Sequence, residues 1–404
     1  MSPASMLDAP PSVPVAKAAP ATRLVSHMVN GQVYIEEVPV EDAGAGSLEA
    51  APDSPASGGC DAATSELRDA TRAAVVHRVV SGARQVAQQC PDDHPDRVAA
   101  APSLDALAQQ APAGDQRALW AAAAALVPTA DRWAFVGEAA DRDNDGPGAL
   151  DAWRRAVALA PDNATMAREL AEGERRHAVE RRFDTIDREH FTARFEGAER
   201  KDLAWESLAI LDEAWRSVGA ALELRPDSPV TVVFYTGAAY EEATGAREWS
   251  AGQFDGKIRV RGAASRQGTA ALKDLLFHEY VHAALATSVR GEIPAWFHEG
   301  LAQRLEPGLD RARDLAPLSG RPRASLPTVA ELSEGFARLQ DPVQVRLYYA
   351  CALDLVDELA RWRGERSFAA LLAAMNQGKS FAAALDATYG LDEQLLQERW
   401  RANH

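Results

Sequence analysis

Residues 278–282 read His-Glu-Tyr-Val-His. Helix positions four apart lie on one face about a turn from each other, so the imidazoles of His278 and His282 can reach a single metal ion. Glu279 stands beside the first of them, where a carboxylate could take a proton from a water molecule that the metal holds. The flanks, Thr269 to Phe277 and Ala283 to Thr287, contain neither glycine nor proline and read as one helix. A second carboxylate follows in Glu292-Ile-Pro-Ala-Trp-Phe-His-Glu-Gly-Leu-Ala-Gln303. Pro294 suits the first turn of a helix, where its missing N–H would have no partner. That helix would carry Glu299 inward, with Gly300 beside it permitting close approach of a neighbouring backbone. A catalytic zinc takes three protein ligands and keeps one position open, and two histidines with one glutamate form such a set.

In order and spacing these residues resemble the gluzincin metallopeptidases of the peptidase MA type. The likeness is closest to the group whose second motif is W-x-x-E-G-L-A, here Trp296, Glu299, Gly300, Leu301 and Ala302. The resemblance implies zinc on His278, His282 and Glu299, Glu279 as general base, and a peptide or protein substrate. It covers roughly residues 190 to 402, down to the closing Glu398-Arg-Trp400. Such enzymes can draw an oxyanion donor from a tyrosine or histidine of the downstream helices. Tyr348 is the first candidate and Tyr349 the next, since adjacent helical residues point about 100° apart and at most one can face the metal. A buried packing tyrosine is the other fate open to either. His298, next to Glu299, points elsewhere if the helix is regular, and is otherwise a rival ligand ranked below Glu299. Some gluzincins place an aspartate four residues after the glutamate ligand, bonded to a metal histidine. Gln303 stands there in this chain, and it can accept a hydrogen bond but brings no negative charge.

The elements that must position these groups are mostly helical. Thr192 to Phe195 and Val230 to Tyr235 read as strands, with the amphipathic helix Asp202 to Ala221 between them. Lys257 to Gly262 alternates and is bounded by glycines, as an edge strand would be. The resemblance implies that a strand here, just before the metal helix, lies along the cleft and pairs with extended substrate, an ordinary sheet strand being the other reading. Helices fill the stretch from Val343 to Trp400. The predicted fold class is α+β, predominantly helical: a zincin-like domain at 184–404 with a small sheet and C-terminal helices, after a helical region at 114–183.

That helical region carries Trp133, Val136, Gly137, Ala140, Ala149, Trp153, Ala156 and Pro161, a pattern that resembles one tetratricopeptide repeat. A lone repeat cannot bury its own face, and Gln116 to Val127 and Ala164 to Glu180 offer the covering helices. A docking site for a protein partner and a spacer packed on the enzyme both fit. Asp141 to Gly146 imitates the start of a calcium loop, but its twelfth position is Ala152, and a helix–helix turn explains the same letters. The charged run Glu172 to Arg182 reads as a solvated helix. Upstream, residues 1–22 form a Pro/Ala-rich tail expected to be disordered. Residues 23–113 hold a hairpin around Asn30-Gly31 and helices broken at Cys90 to Pro95.

The net charge of −16 argues against a nucleic-acid partner and against docking on anionic membrane. No apolar run is long enough to span a bilayer. Met1 to Pro20 lacks the apolar core of a secretory signal, so the chain reads as cytoplasmic, or as periplasmic or secreted if a signal has been removed. Cys60, Cys90 and Cys351 do not make a disulfide framework, although one Cys60–Cys90 bridge fits an exported protein. Two functions compete: a zinc peptidase, and a non-catalytic interaction scaffold whose zinc site is structural or vestigial. The intact Glu279 favours the first, because a structural zinc site has no use for that acid.

Overall fold

The computed structural model describes residues 22–29, 32–39, 57–197, 201–244, 252–261, 268–336, 339 and 341–402. The chain divides into two compact units, Met1–Ser54 and Pro55–His404. In the first, β1 (Thr22–Val29) pairs antiparallel with β2 (Gln32–Pro39), Val29 opposite Gln32. The expected Asn30-Gly31 turn and the tail before Thr22 lie outside the described residues.

The second unit opens with seven helices: α1 (Ser57–Arg72), α2 (Val76–Gln89), α3 (Pro95–Gln110), α4 (Ala113–Leu126), α5 (Ala130–Arg142), α6 (Gly146–Leu159) and α7 (Ala164–Glu180). Cys60 and Cys90 form a disulfide that ties α1 to the end of α2. A ring nitrogen of His94 lies within 4.8 Å of both sulfurs, but with the sulfurs bonded to each other the group is a cross-link. Helices α5 and α6 pack as a hairpin closed on Trp153, whose indole is clamped between Gly137 and Gly173; a Cβ at either glycine would collide with the ring. The acids of the calcium-like stretch have other partners. Asp145 caps α6 by accepting from the Gly148 N–H at 2.9 Å, Asn144 takes a left-handed turn conformation, and Asp141 pairs with Lys257 at 3.1 Å.

The rest of the unit is α+β and mostly helical. Five strands, β3 (Asp184–Asp187), β4 (Phe191–Phe195), β5 (Val230–Tyr235), β6 (Gly252–Phe254) and β7 (Ile258–Arg261), form one sheet in the order β3-β4-β5-β7-β6. The central pairings, β4–β5 and β5–β7, are parallel, while β3 and β6 run antiparallel to their neighbours at the two edges. The edge assignment for residues 257–262 is therefore corrected: β7 lies inside the sheet, and β6 is the edge on that side. Alternation misleads here because Lys257 and Arg259 do not face water; they are 1% and 0% exposed. Their counter-charges come from far away in sequence.

Arg259 donates to Glu180 at 2.6 Å, to the Tyr235 hydroxyl at 2.5 Å and to Asp255 at 2.8 Å. Glu180 also accepts from Tyr235 at 2.5 Å and from Arg194 at 3.2 Å. This ion cluster joins α5 and α7 to the sheet. The charged run at 172–182 is thus no simple solvated surface, since Glu180 is 4% exposed and holds three strands through Arg194, Tyr235 and Arg259.

Helices α8 (Lys201–Leu222) and α9 (Gly237–Thr244) lie between strands in the chain, and α10 (Thr269–Ser288) follows β7. Next come α11 (Ala295–Arg304), the short α12 (Arg311–Asp314) and α13 (Val329–Ser333), then α14 (Pro342–Arg363), α15 (Arg366–Asn376), α16 (Phe381–Tyr389) and α17 (Glu393–Ala402). Pro294 stands one position before α11, at its cap. The largest core spans the sheet, α8, α10, α11 and the C-terminal helices. Trp400 closes it: its indole N–H donates to Asp354 on α14 at 2.9 Å. No helix of the described residues is long and apolar enough to cross a membrane.

Burial pushes the Asp141 carboxyl up, but Lys257, Arg259 and Arg176 outweigh it and hold the group below the ordinary aspartate range. A carboxyl lowered on folding stabilises the fold above its unfolded value, about 3.9, and that contribution is lost as pH falls through the folded value. Replacing Asp141 by Asn leaves buried cations short of a partner and is expected to cost about 3 kcal/mol near neutral pH. Denaturant titrations between pH 6 and 3 should show the wild type losing more stability on acidification than D141N.

Candidate metal centre

Helix α10 is buried on nearly every side, and this sets the direction of its polar groups. Leu272, Leu276, Tyr280, Val281, Ala283 and Ala284 fill the core around it. Glu279 and His282 are nonetheless buried, at 6% and 7% exposure. Polar groups placed that deep need partners, and the partners come from α11.

Helix α11 is fixed at both ends of its inner face. Trp296, 1% exposed, packs edge-on against Phe297 and Phe381. Gly300 lies so close to α14 that a Cβ there would collide with the carbonyl oxygen of Ala352. The Gln303 side chain donates to the carbonyl of Tyr349 at 3.0 Å and to that of Glu299 at 3.2 Å. Gln303 thus fastens α11 to α14 and supports no metal-facing imidazole.

This packing brings Glu299 against both histidines of α10. Its Oε2 lies 3.3 Å from His278 Nε2 and 3.5 Å from His282 Nε2. Ligand atoms of the three side chains all fall within 4.8 Å of one another. Oε2 of Glu299 is buried and in no hydrogen bond, and the same holds for Oε2 of Glu279. Three ligand atoms gathered around a common point fit a shared cation, and the His, His, carboxylate set suits zinc.

Behind these side chains stand Glu306, to which the sequence assigns no role, and His298. Glu306, just past the end of α11, accepts from His278 Nδ1 at 2.7 Å. The negative charge missing at Gln303 is therefore supplied three residues later, where a helical register would not look. His298 does not point away as its position beside Glu299 suggests; it places Nδ1 at 2.5 Å from His282 Nδ1. The tyrosine order also changes. Both rings meet Phe336 edge-on, with centres 5.6 Å away for Tyr348 and 5.2 Å for Tyr349, and Tyr348 packs against the core. Tyr349 lies beside Glu299, with its hydroxyl within reach of that carboxylate. The helix phase decides between the neighbours, and the sequence alone does not give it.

The electrostatics follow from burial and proximity. Burial works against a charged His278, but contacts with Glu299 and Glu306 outweigh it and carry its pKa well above the ordinary value. Burial raises Glu279, an effect only partly offset by His278 and His282. Burial also raises Tyr349, reinforced by the charges of Glu299 and Glu279, so its hydroxyl keeps its proton. Burial would raise Glu299 as well, yet the two imidazoles pull it well below the carboxylate range. His298 is lowered to about 4 by burial and by His282.

Against known families, residues 212–404 match the model described as the Peptidase MA superfamily. The match supports a peptidase MA-like domain over this part of the chain. The matched stretch begins within α8 and contains His278, Glu279, His282, Glu299 and Tyr349. No curated protein matches the chain.

The contacts with Glu299 and Glu306 that raise the His278 pKa favour a proton on this imidazole in the metal-free protein. Binding a metal must displace it. Calorimetry in buffers of different ionisation enthalpy should register about one proton released per metal bound at pH 7. Affinity should climb with pH until that imidazole is neutral in the free protein.

Proposed function

We propose that the chain is a zinc-dependent peptidase, with His278, His282 and Glu299 as the ligands. The observation that carries this reading is the convergence of those three side chains beside a buried carboxylate, Glu279, that has a free oxygen. Bound there, zinc would act as a Lewis acid on a scissile carbonyl and lower the pKa of a water molecule to about 7. Glu279 acts as general base: its raised pKa brings it closer to that of such a water, and its free oxygen faces no competing donor. The same carboxyl then delivers the proton to the departing amine. Tyr349 donates its hydroxyl proton in a hydrogen bond to the carbonyl oxygen as negative charge builds there. Tyr348 takes no part.

An extended peptide would lie along β6, the antiparallel edge strand next to α10 among the described residues. We read the tetratricopeptide-like helices as a brace for this sheet, because Asp141 and Glu180 pair with the buried cations Lys257, just before β7, and Arg259 within it. The Cys60–Cys90 disulfide favours an oxidising compartment.

Glu279→Gln keeps the shape of the side chain and removes the base. Peptide-library cleavage should fall by about 10²–10⁴-fold with zinc content unchanged. Tyr349→Phe should lower kcat by about 10²-fold or more and Tyr348→Phe should change it by less than about threefold. Wild-type protein loaded with zinc that cleaves nothing, or cleavage unaffected by Glu279→Gln, would defeat the reading.

A further inference from the structure

The two imidazoles of the candidate metal centre are each held from behind, and by unequal partners. His278 Nδ1 donates to the Glu306 carboxylate at 2.7 Å. His282 Nδ1 meets another imidazole, His298 Nδ1, at 2.5 Å. The rings of His282 and His298 are nearly parallel, 16° apart, with centres separated by 4.6 Å. Rings lying face to face keep their atoms at about 3.5 Å or more, so nitrogens this close place the rings edge to edge. That is the geometry of an in-plane N–H···N hydrogen bond. It allows one proton between the two nitrogens: one ring donates and the other accepts.

Which ring donates follows from the metal side. His282 directs Nε2 toward Glu299. A neutral imidazole that uses the lone pair of Nε2 carries its proton on Nδ1. His282 is then the donor, and His298 accepts on Nδ1 with its own proton on Nε2. We propose that His298 is a positioning residue, a neutral imidazole that fixes the tautomer and ring plane of His282, as Glu306 does for His278. The inference rests on the zinc reading given above. It adds an inequality: a carboxylate makes a stronger, charge-assisted bond and raises the basicity of its imidazole, whereas a neutral acceptor mainly orients. His278 is the firm ligand and His282 the adjustable one.

The test is zinc affinity of the full chain by competition with a chromophoric chelator, together with the absorption spectrum of the cobalt-substituted protein. Glu306→Ala should raise the zinc Kd by about 100-fold and His298→Phe by about 10-fold, within the range for such outer partners. His298→Gln, which restores an acceptor oxygen, should recover most of the loss. The melting temperature of the metal-free protein should stay within about 3 °C in each variant, and the cobalt d–d bands of His298→Phe should shift. A His298→Phe zinc Kd within twofold of wild type, or a loss equal in Gln and Phe variants, would overturn the role of His298. A smaller loss for Glu306→Ala than for His298→Phe would overturn the inequality. Wild-type protein that binds no zinc would overturn the metal reading and this inference with it, and that result is distinguishable from the others.

Discussion

Glu299 can reach the imidazoles of α10 only because α11 is pressed against α14 at Gly300, where there is no room for a side-chain carbon. Everything else at the site follows from that contact. It sets the depth of α11, and Trp296 and the Gln303 side chain then fix its rotation and its far end. With the helix so placed, the Glu299 carboxylate falls between two ring nitrogens at 3.3 and 3.5 Å. The same packing places Tyr349 of α14 beside Glu299 and leaves Tyr348 against the core. Packing between helices thus builds a polar site.

A second set of contacts keeps the sheet in place beside α10. Fully buried Arg259 reaches Glu180 from α7, Tyr235 from β5 and Asp255 at the turn after β6. Charges taken this far from water are tolerated only when paired and hydrogen-bonded, which explains why acids from the helical region are drawn to the sheet. The consequence for function is positional. The edge strand β6 is anchored through Asp255 to the same arginine that the N-terminal helices hold, so the helices and the strand next to α10 share one support.

Local spacing is enough to single out the principal side chains of the site. His278, Glu279 and His282 share a helix, and Glu299 sits in a short motif with its own proline and glycine. The geometry brings these four together. What the sequence hides depends on the phase and ending of elements. Tyr349 and Tyr348 differ by one step around α14, and nothing local states which faces inward. Glu306 stands beyond the last turn of α11, so counting along a helix leads to Gln303 instead. His298 points toward His282 because α11 meets α10 at a crossing that no single-helix argument supplies. The same cause misplaces β7. Its alternating Lys257 and Arg259 look solvated in one dimension, and their acidic partners Asp141 and Glu180 belong to helices far upstream, beyond the reach of any local pattern.

The central claim, one ion shared by His278, His282 and Glu299, is tested most directly by X-ray absorption at the zinc edge of the loaded full-length protein. The account predicts two imidazole nitrogens at about 2.0–2.1 Å, one carboxylate oxygen at about 2.0–2.2 Å and one further light atom, with the imidazole signal halved in His282→Phe. Sulfur scattering at about 2.3 Å, or a shell without histidine, would contradict it.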